Sequence, residues 1–154
     1  MKAQFSPLAL IDFAIINSNF KFIPSSDEIN IREVSAVYDI DIDFAIIQEL
    51  DSTRVFIKTA INNVEEQKPG YAIFAEGVGV FQLTADDKLT EEDKKSLLQY
   101  SAVSIALNSL RGFISSLTAN APFGRYILPS IDVNKLFHQK IQVANQVKPK
   151  IKKK

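Results

Sequence analysis

Residues 106–137 read ALNSLRGFISSLTANAPFGRYILPSIDVNKLF, and this stretch decides the fold. It joins an apolar helix to a second helix through a connector that is itself apolar, with Phe123, Tyr126, Ile127 and Leu128 within six positions. Connectors ordinarily cross the surface with polar side chains, because their backbone groups need water. Each large apolar side chain left in water forgoes about 1.5–3 kcal/mol. The connector must therefore dock on its own domain, on another subunit or on a bound chain.

Outward from the connector, the upstream helix takes Thr90 as its N-cap, with Asp93 three residues on and no Gly or Pro before Gly112. Val103, Leu107, Leu110, Ile114 and Leu117 step by four, three, four and three, a seam like that of packed helix pairs. Two heptads leave open whether it meets the chain's own sheet or another subunit. Asn120-Ala121-Pro122 ends this helix, and Asp132 is placed to cap a short amphipathic one reaching about Asn145.

The first 83 residues read as strands. Leu8 to Phe22 is the first, with an expected break at Asn17-Ser18-Asn19, and Pro24 to Asp27 is a crossover or turn. Tyr38, Ile40, Ile42, Phe44 and Ile46 alternate with Asp39, Asp41, Asp43, Ala45 and Ile47, which predicts a strand with one covered face. Thr53 to Val64 sets Val55, Ile57 and Ile61 against Arg54, Lys58 and Asn62, and Lys68-Pro69-Gly70 turns into a fourth strand, Tyr71 to Leu83. Four consecutive strands and two helices make an α+β domain with an antiparallel sheet.

A chain of 154 residues suits one domain, burying about 70% of the surface its unfolded form exposes. It has no cysteine, which excludes disulfides, thiolate metal sites and a cysteine nucleophile, and fits a cytoplasmic protein. The run KPKIKKK from Lys148 holds five of the 18 basic residues, leaving 13 against 18 acids in the body. Residues 1–146 are thus an acidic folded domain and 147–154 a basic tail expected to be disordered. That tail lacks interleaved aromatics and reads as solvated, so no specific nucleic-acid partner is expected. The early apolar run is interrupted by Pro7, Asp12 and Asn17, so neither a leader nor membrane insertion is expected.

Chemistry-bearing motifs are sparse. Asp39, Asp41 and Asp43 lie on one strand face at about 6.5–7 Å spacing, but a solvated face with Arg54 and Lys58 opposite explains them better than a metal. Glu76-Gly77-Val78-Gly79 lacks the third glycine and the helix of a dinucleotide loop, and suits a bulge or close backbone approach. His138 is the single histidine and has no acid and nucleophile in a recognisable frame; no GxSxG, HExxH or Walker motif occurs. No enzyme, cofactor or metal is expected.

The order of parts, together with LRGFISSLTANAPFGRYILPSIDVNKLF and YAIFAEGVGVFQL, resembles the SecB export chaperone family. The resemblance implies a homotetramer, a dimer of dimers whose sheets join edge to edge and whose long helices pack between dimers. It implies an ATP-independent holdase for protein export that keeps unfolded preproteins soluble in apolar grooves. Residues matching the family's client contacts are Phe22, Tyr38, Ile40, Ile42, Phe137 and Ile141, to which the apolar connector adds Phe123 and Tyr126. Val103, Leu107, Leu110, Ile114 and Leu117 are the matching oligomer-interface candidates. The acids that dock the translocation ATPase SecA match Asn19, Ile23 and Phe74 here, and Glu76 is two residues out of register. SecA docking is therefore in doubt. A dedicated client, such as an antitoxin, and an adaptor without general chaperone activity both stay open.

Overall fold

The computed structural model describes residues 1–84 and 89–147. The lysine run 148–154 lies outside the described residues, and Val147, the first residue of the expected tail, belongs to the last helix. Strands β1 (Leu8–Ile23), β2 (Ile40–Gln48), β3 (Thr53–Ile61) and β4 (Gly70–Leu83) form one antiparallel sheet in the order β1-β4-β3-β2. The last three strands are a meander. The chain crosses from one edge of the sheet to the other between β1 and β2 by way of α1 (Ile31–Ser35), whose cap Asn30 accepts from the Arg32 amide. A five-residue helix is too short to show a period in sequence, so only the crossover was legible.

Alternation sets the two faces apart. Thr53, Val55, Ile57, Thr59 and Ile61 are buried on β3, while Arg54 and Lys58 are exposed. The register places Ile40, Ile42, Phe44 and Ile46 beside that buried row on one side, and Ile73, Ala75, Gly77, Gly79 and Phe81 on the other. This face carries the core. Gly77 and Gly79 form a trough in it, where an added Cβ would lie 2.6 Å from Phe13 and 2.7 Å from the Phe81 ring. The close approach expected at Glu76–Gly79 is thus the seating of aromatic rings against bare backbone.

Two strand expectations need correction. β1 does not break at Asn17-Ser18-Asn19; it stays paired with β4 to Ile23, and register shifts at Ile11 and Ile16 absorb one extra residue each. A bulge tolerates polar residues without ending the ladder. β3 stops at Ile61, and Asn62 is buried rather than solvent-facing. Its φ of 51° is left-handed, and its side chain donates to Lys68 O and Tyr71 O while accepting from the Lys68 amide. Asparagine tolerates that conformation and closes the turn with its own amide.

Thr90 caps α2 (Glu91–Ser96) in a reciprocal box with Asp93, each side chain taking up a backbone amide that the first turn leaves unpaired. Hydrogen bonds from the Thr90 hydroxyl and amide hold the Asp93 carboxyl below its ordinary range. The helix is not uniform, because Leu97–Ser101 is a π-helical segment before α3 (Ala102–Leu117). A π segment adds one residue to the turn and rotates the helix downstream of it. Here it brings Ala102, Val103, Ala106, Leu107, Leu110 and Ile114 onto the sheet, all buried. α3 closes at Thr118, ahead of Asn120-Ala121-Pro122, which lie in the next turns of the chain.

That packing corrects the interface expectation. Val103, Leu107, Leu110 and Ile114 are 0–3% exposed within the single chain, and Leu117 is half-buried, so the seam is spent on the chain's own sheet. The outward face of α3 is instead Asn108, Gly112 and Ser116.

Candidate functional site

The connector is anchored by two hydroxyls. Tyr71 donates to Gly124 O at 2.7 Å and accepts from the Phe123 amide at 2.8 Å, so one buried phenol satisfies both backbone groups of a tight turn. Thr118 donates to Ile114 O at 2.9 Å and accepts from the Tyr126 amide at 2.9 Å, tying the connector to the end of α3. Gly124, at φ 84°, supplies the left-handed turn. Arg111 secures the far end by donating to Pro129 O at 2.8 Å. The apolar connector is thus docked largely on its own domain, with Tyr126 and Leu128 buried but Ile127 64% exposed.

Past the connector, Asp132 accepts from the Lys135 amide and starts α4 (Val133–Val147), as expected. α4 is held near β2 through side chains. Phe137 packs between Phe44 and Tyr100, with ring centroids 4.5 and 4.9 Å apart. Lys140 donates to Asp43 and lies 4.9 Å over the Phe44 ring. Lys58 reaches the same carboxylate at 3.8 Å. Burial pushes the Asp43 carboxyl up, but the hydrogen bonds from Lys140 and the Phe44 amide, with the two lysine charges, outweigh it and leave it below the ordinary range. Asp43 is therefore a docking point for α4, and Asp39 and Asp41 are exposed.

β2 pairs only with β3 among the described residues, so its other edge has no partner strand there, although the Phe44 amide is taken up by the Asp43 carboxylate. Two clefts lie along it. The first, about 810 Å³, is walled by Ile31, Arg32 and Ala36 near α1, by Ile40 of β2, and by Phe123, Tyr126, Ile127 and Pro129 of the connector. The second, about 660 Å³, lies between Ile42 and Phe44 of β2 and Leu136, Lys140 and Val143 of α4. A third, about 950 Å³, sits at the other end of β2, where Ile46, Leu50 and Leu98 share the lining with five charged residues, Glu49, Asp51, Glu91, Lys94 and Lys95. Its charged walls suit water better than an apolar chain.

The sequence-predicted residues divide accordingly. Ile40, Phe123 and Tyr126 meet in the first cleft and Ile42 enters the second. Phe22 lines neither and packs behind Phe123, ring centroids 5.2 Å apart, beside Tyr71. Tyr38 is 7% exposed; its hydroxyl donates to Pro69 O and accepts from the Tyr71 amide, so it braces the turn at Gly70 and offers a ligand little surface. Burial raises the pKa of Tyr38, Tyr71 and Tyr126, which keeps these phenols neutral. Tyr126 backs the wall of the cleft but is 2% exposed, with its hydroxyl enclosed, so like Tyr38 it offers a ligand little surface. Phe137 fixes α4 in place, and Ile141 is exposed on α4 outside both clefts. Sequence reading did not place Ile31, Ala36 and Pro129 in the site; α1 gave no signal, and Pro129 carried no reading of its own.

Asn19 and Phe74, two of the positions matched to ATPase-docking acids, are cross-strand partners away from the core face, and Ile23 pairs with Gly70. None carries charge. No helix among the described residues is long and apolar enough to cross a membrane.

No protein-family model matches the chain, and no curated protein matches it. Among solved structures it is similar to the Mycobacterium tuberculosis Rv1957 SecB-like chaperone, in complex with a ChAD peptide from the Rv1956 HigA1 antitoxin, at 14% identity and a TM-score of 0.56. That match covers 80% of this chain and 90% of the mycobacterial one. A protein of unknown function from Streptococcus agalactiae matches at 7% identity and a TM-score of 0.44, covering 80% of this chain and 97% of that one. With its four-stranded antiparallel sheet, long helix and short C-terminal helix, the chain has a SecB-like fold.

Proposed function

We propose that this chain is a polypeptide-binding chaperone that holds extended, unfolded segments along the β2 edge, without catalysis, nucleotide or cofactor. The observation that carries the reading is a strand edge without a partner strand among the described residues, with an apolar cleft at Ile40 and a mixed apolar and charged one at Ile42. An extended chain can add hydrogen bonds at such an edge while its alternate side chains enter the clefts. Backbone bonding is indifferent to sequence, so selectivity rests with the clefts. Several weak sites on one client give avidity, and binding the unfolded state keeps it soluble by mass action. In this reading the protein works in the cytoplasm as a homotetramer, and the outward face of α3 is the helix surface left for packing between dimers. SecA docking forms no part of it, because Asn19, Ile23 and Phe74 supply no charge.

A narrower reading, a chaperone dedicated to one client, is favoured by the antitoxin-derived peptide held by the mycobacterial SecB-like chaperone. Light scattering from several unrelated denatured proteins separates the two. A general holdase suppresses aggregation of all of them, and a dedicated one suppresses only its own client. In either case Ile127→Asp, at a 64% exposed position on the first cleft, should leave stability within about 0.5 kcal/mol and weaken client binding severalfold. Failure to suppress any aggregation, together with failure to bind any unfolded peptide, contradicts the proposal.

A further inference from the structure

We infer that the first cleft selects client segments carrying a carboxylate beside their apolar side chains, and that Arg32 and Arg125 read that charge. The inference rests on the proposal that this cleft receives the client. Arg32 and Arg125 are the two charged residues in a lining otherwise made of apolar and small side chains, and no acid joins them. The chain has four arginines, and the two elsewhere are engaged: Arg54 with Glu49 at 3.3 Å, Arg111 with Asn108 at 2.7 Å and Pro129 O at 2.8 Å. The side chains of Arg32 and Arg125 are exposed and have neither ion pair nor hydrogen bond among the described residues. This is a local exception, since the body outside the lysine run has 18 acids to 13 bases.

A guanidinium presents paired N–H donors that fit a carboxylate, and an apolar wall beside it strengthens the attraction by excluding water. The second cleft offers no equivalent, because Asp43 already occupies Lys58 and Lys140. Charge selection thus belongs to the Ile40 end of β2. A segment that places an Asp, a Glu or its own C-terminal carboxylate there is held in one direction along the edge; a segment with lysine at that point is repelled.

The test uses the full-length protein and three labelled peptides sharing one alternating leucine and serine core, ending in paired glutamates, paired glutamines or paired lysines. Fluorescence anisotropy at low salt should rank them glutamate, glutamine, lysine. The first step is about tenfold, as expected for two partly exposed ion pairs. The double variant R32E/R125E should reverse the ranking, with its thermal midpoint checking the fold. Salt titration of the unaltered protein needs no variant, and the glutamate advantage should shrink toward unity as salt rises. Equal binding of glutamate and glutamine peptides, a preference that survives the double substitution, or one indifferent to salt overturns the inference while leaving the binding site intact. Failure of all three peptides to bind overturns the underlying proposal as well.

Discussion

β1 and β2 are both edges of the same sheet, yet they are built differently. β1 runs 16 residues and carries two bulges that leave Ile11 and Ile16 half exposed, whereas β2 keeps nine residues in unbroken register with β3. Bulges kink and twist a strand, which makes it a poor template for another chain. A regular edge is a good template. β2 also borders an apolar cleft at Ile40 and a partly apolar one at Ile42, while the cavity beside the middle of β1 is lined by Asn17, Ser18, Asn19, Lys21, Asn63 and Gln67 along with Ala72, Ile73 and Phe74. The difference indicates that an irregular edge discourages pairing and a regular one beside apolar clefts invites it.

The most forceful way to break this comparison is Gly77→Val. The new Cβ would lie 2.6 Å from Phe13, expelling that ring from the trough and disrupting β1 on β4. Urea denaturation should show a loss of about 3 kcal/mol. Next is Phe137→Asp, which removes the ring held between Phe44 and Tyr100. It should cost about 2–3 kcal/mol, free α4 from β2 and reduce peptide affinity by collapsing the wall of the second cleft. Peptide anisotropy and thermal melts check both effects.

The smallest effect comes from pH. Because the folded Asp43 carboxyl sits below its ordinary range, its contribution is fully present above that range and is lost as pH falls through the folded value. Its side chain is 47% exposed, so screening limits the effect to a few tenths of a kcal/mol. Asp43→Asn should lower the melting temperature slightly near neutrality, with the difference beginning to shrink only below about pH 4 and vanishing once the pH has fallen past the lowered folded value.

Much of the fold was legible because strand alternation and helix periodicity report burial directly. The β2 pattern from Ile40 to Ile46, the Thr90 capping box and the Asp132 cap all stand in the structure. The bulges at Ile11 and Ile16 were not legible, since a two-residue period cannot show where a partner strand skips a residue. The π-helical segment hid for a similar reason: it changes the phase of a helix without changing its composition. The site was half visible. Apolar residues that converge across elements, such as Ile31, Ile40 and Phe123, share no spacing in sequence. The seam at Val103–Leu110 read equally well as core or interface, and only the position of the sheet decided between them.

The central claim is that an extended chain lies on β2 and not on β1. Amide hydrogen exchange with and without a saturating unfolded peptide tests it most directly. The account predicts added protection across residues 40–48 and in the connector at 123–129, with 8–23 unchanged. Protection confined to residues 8–23, or none anywhere despite saturation, would contradict it.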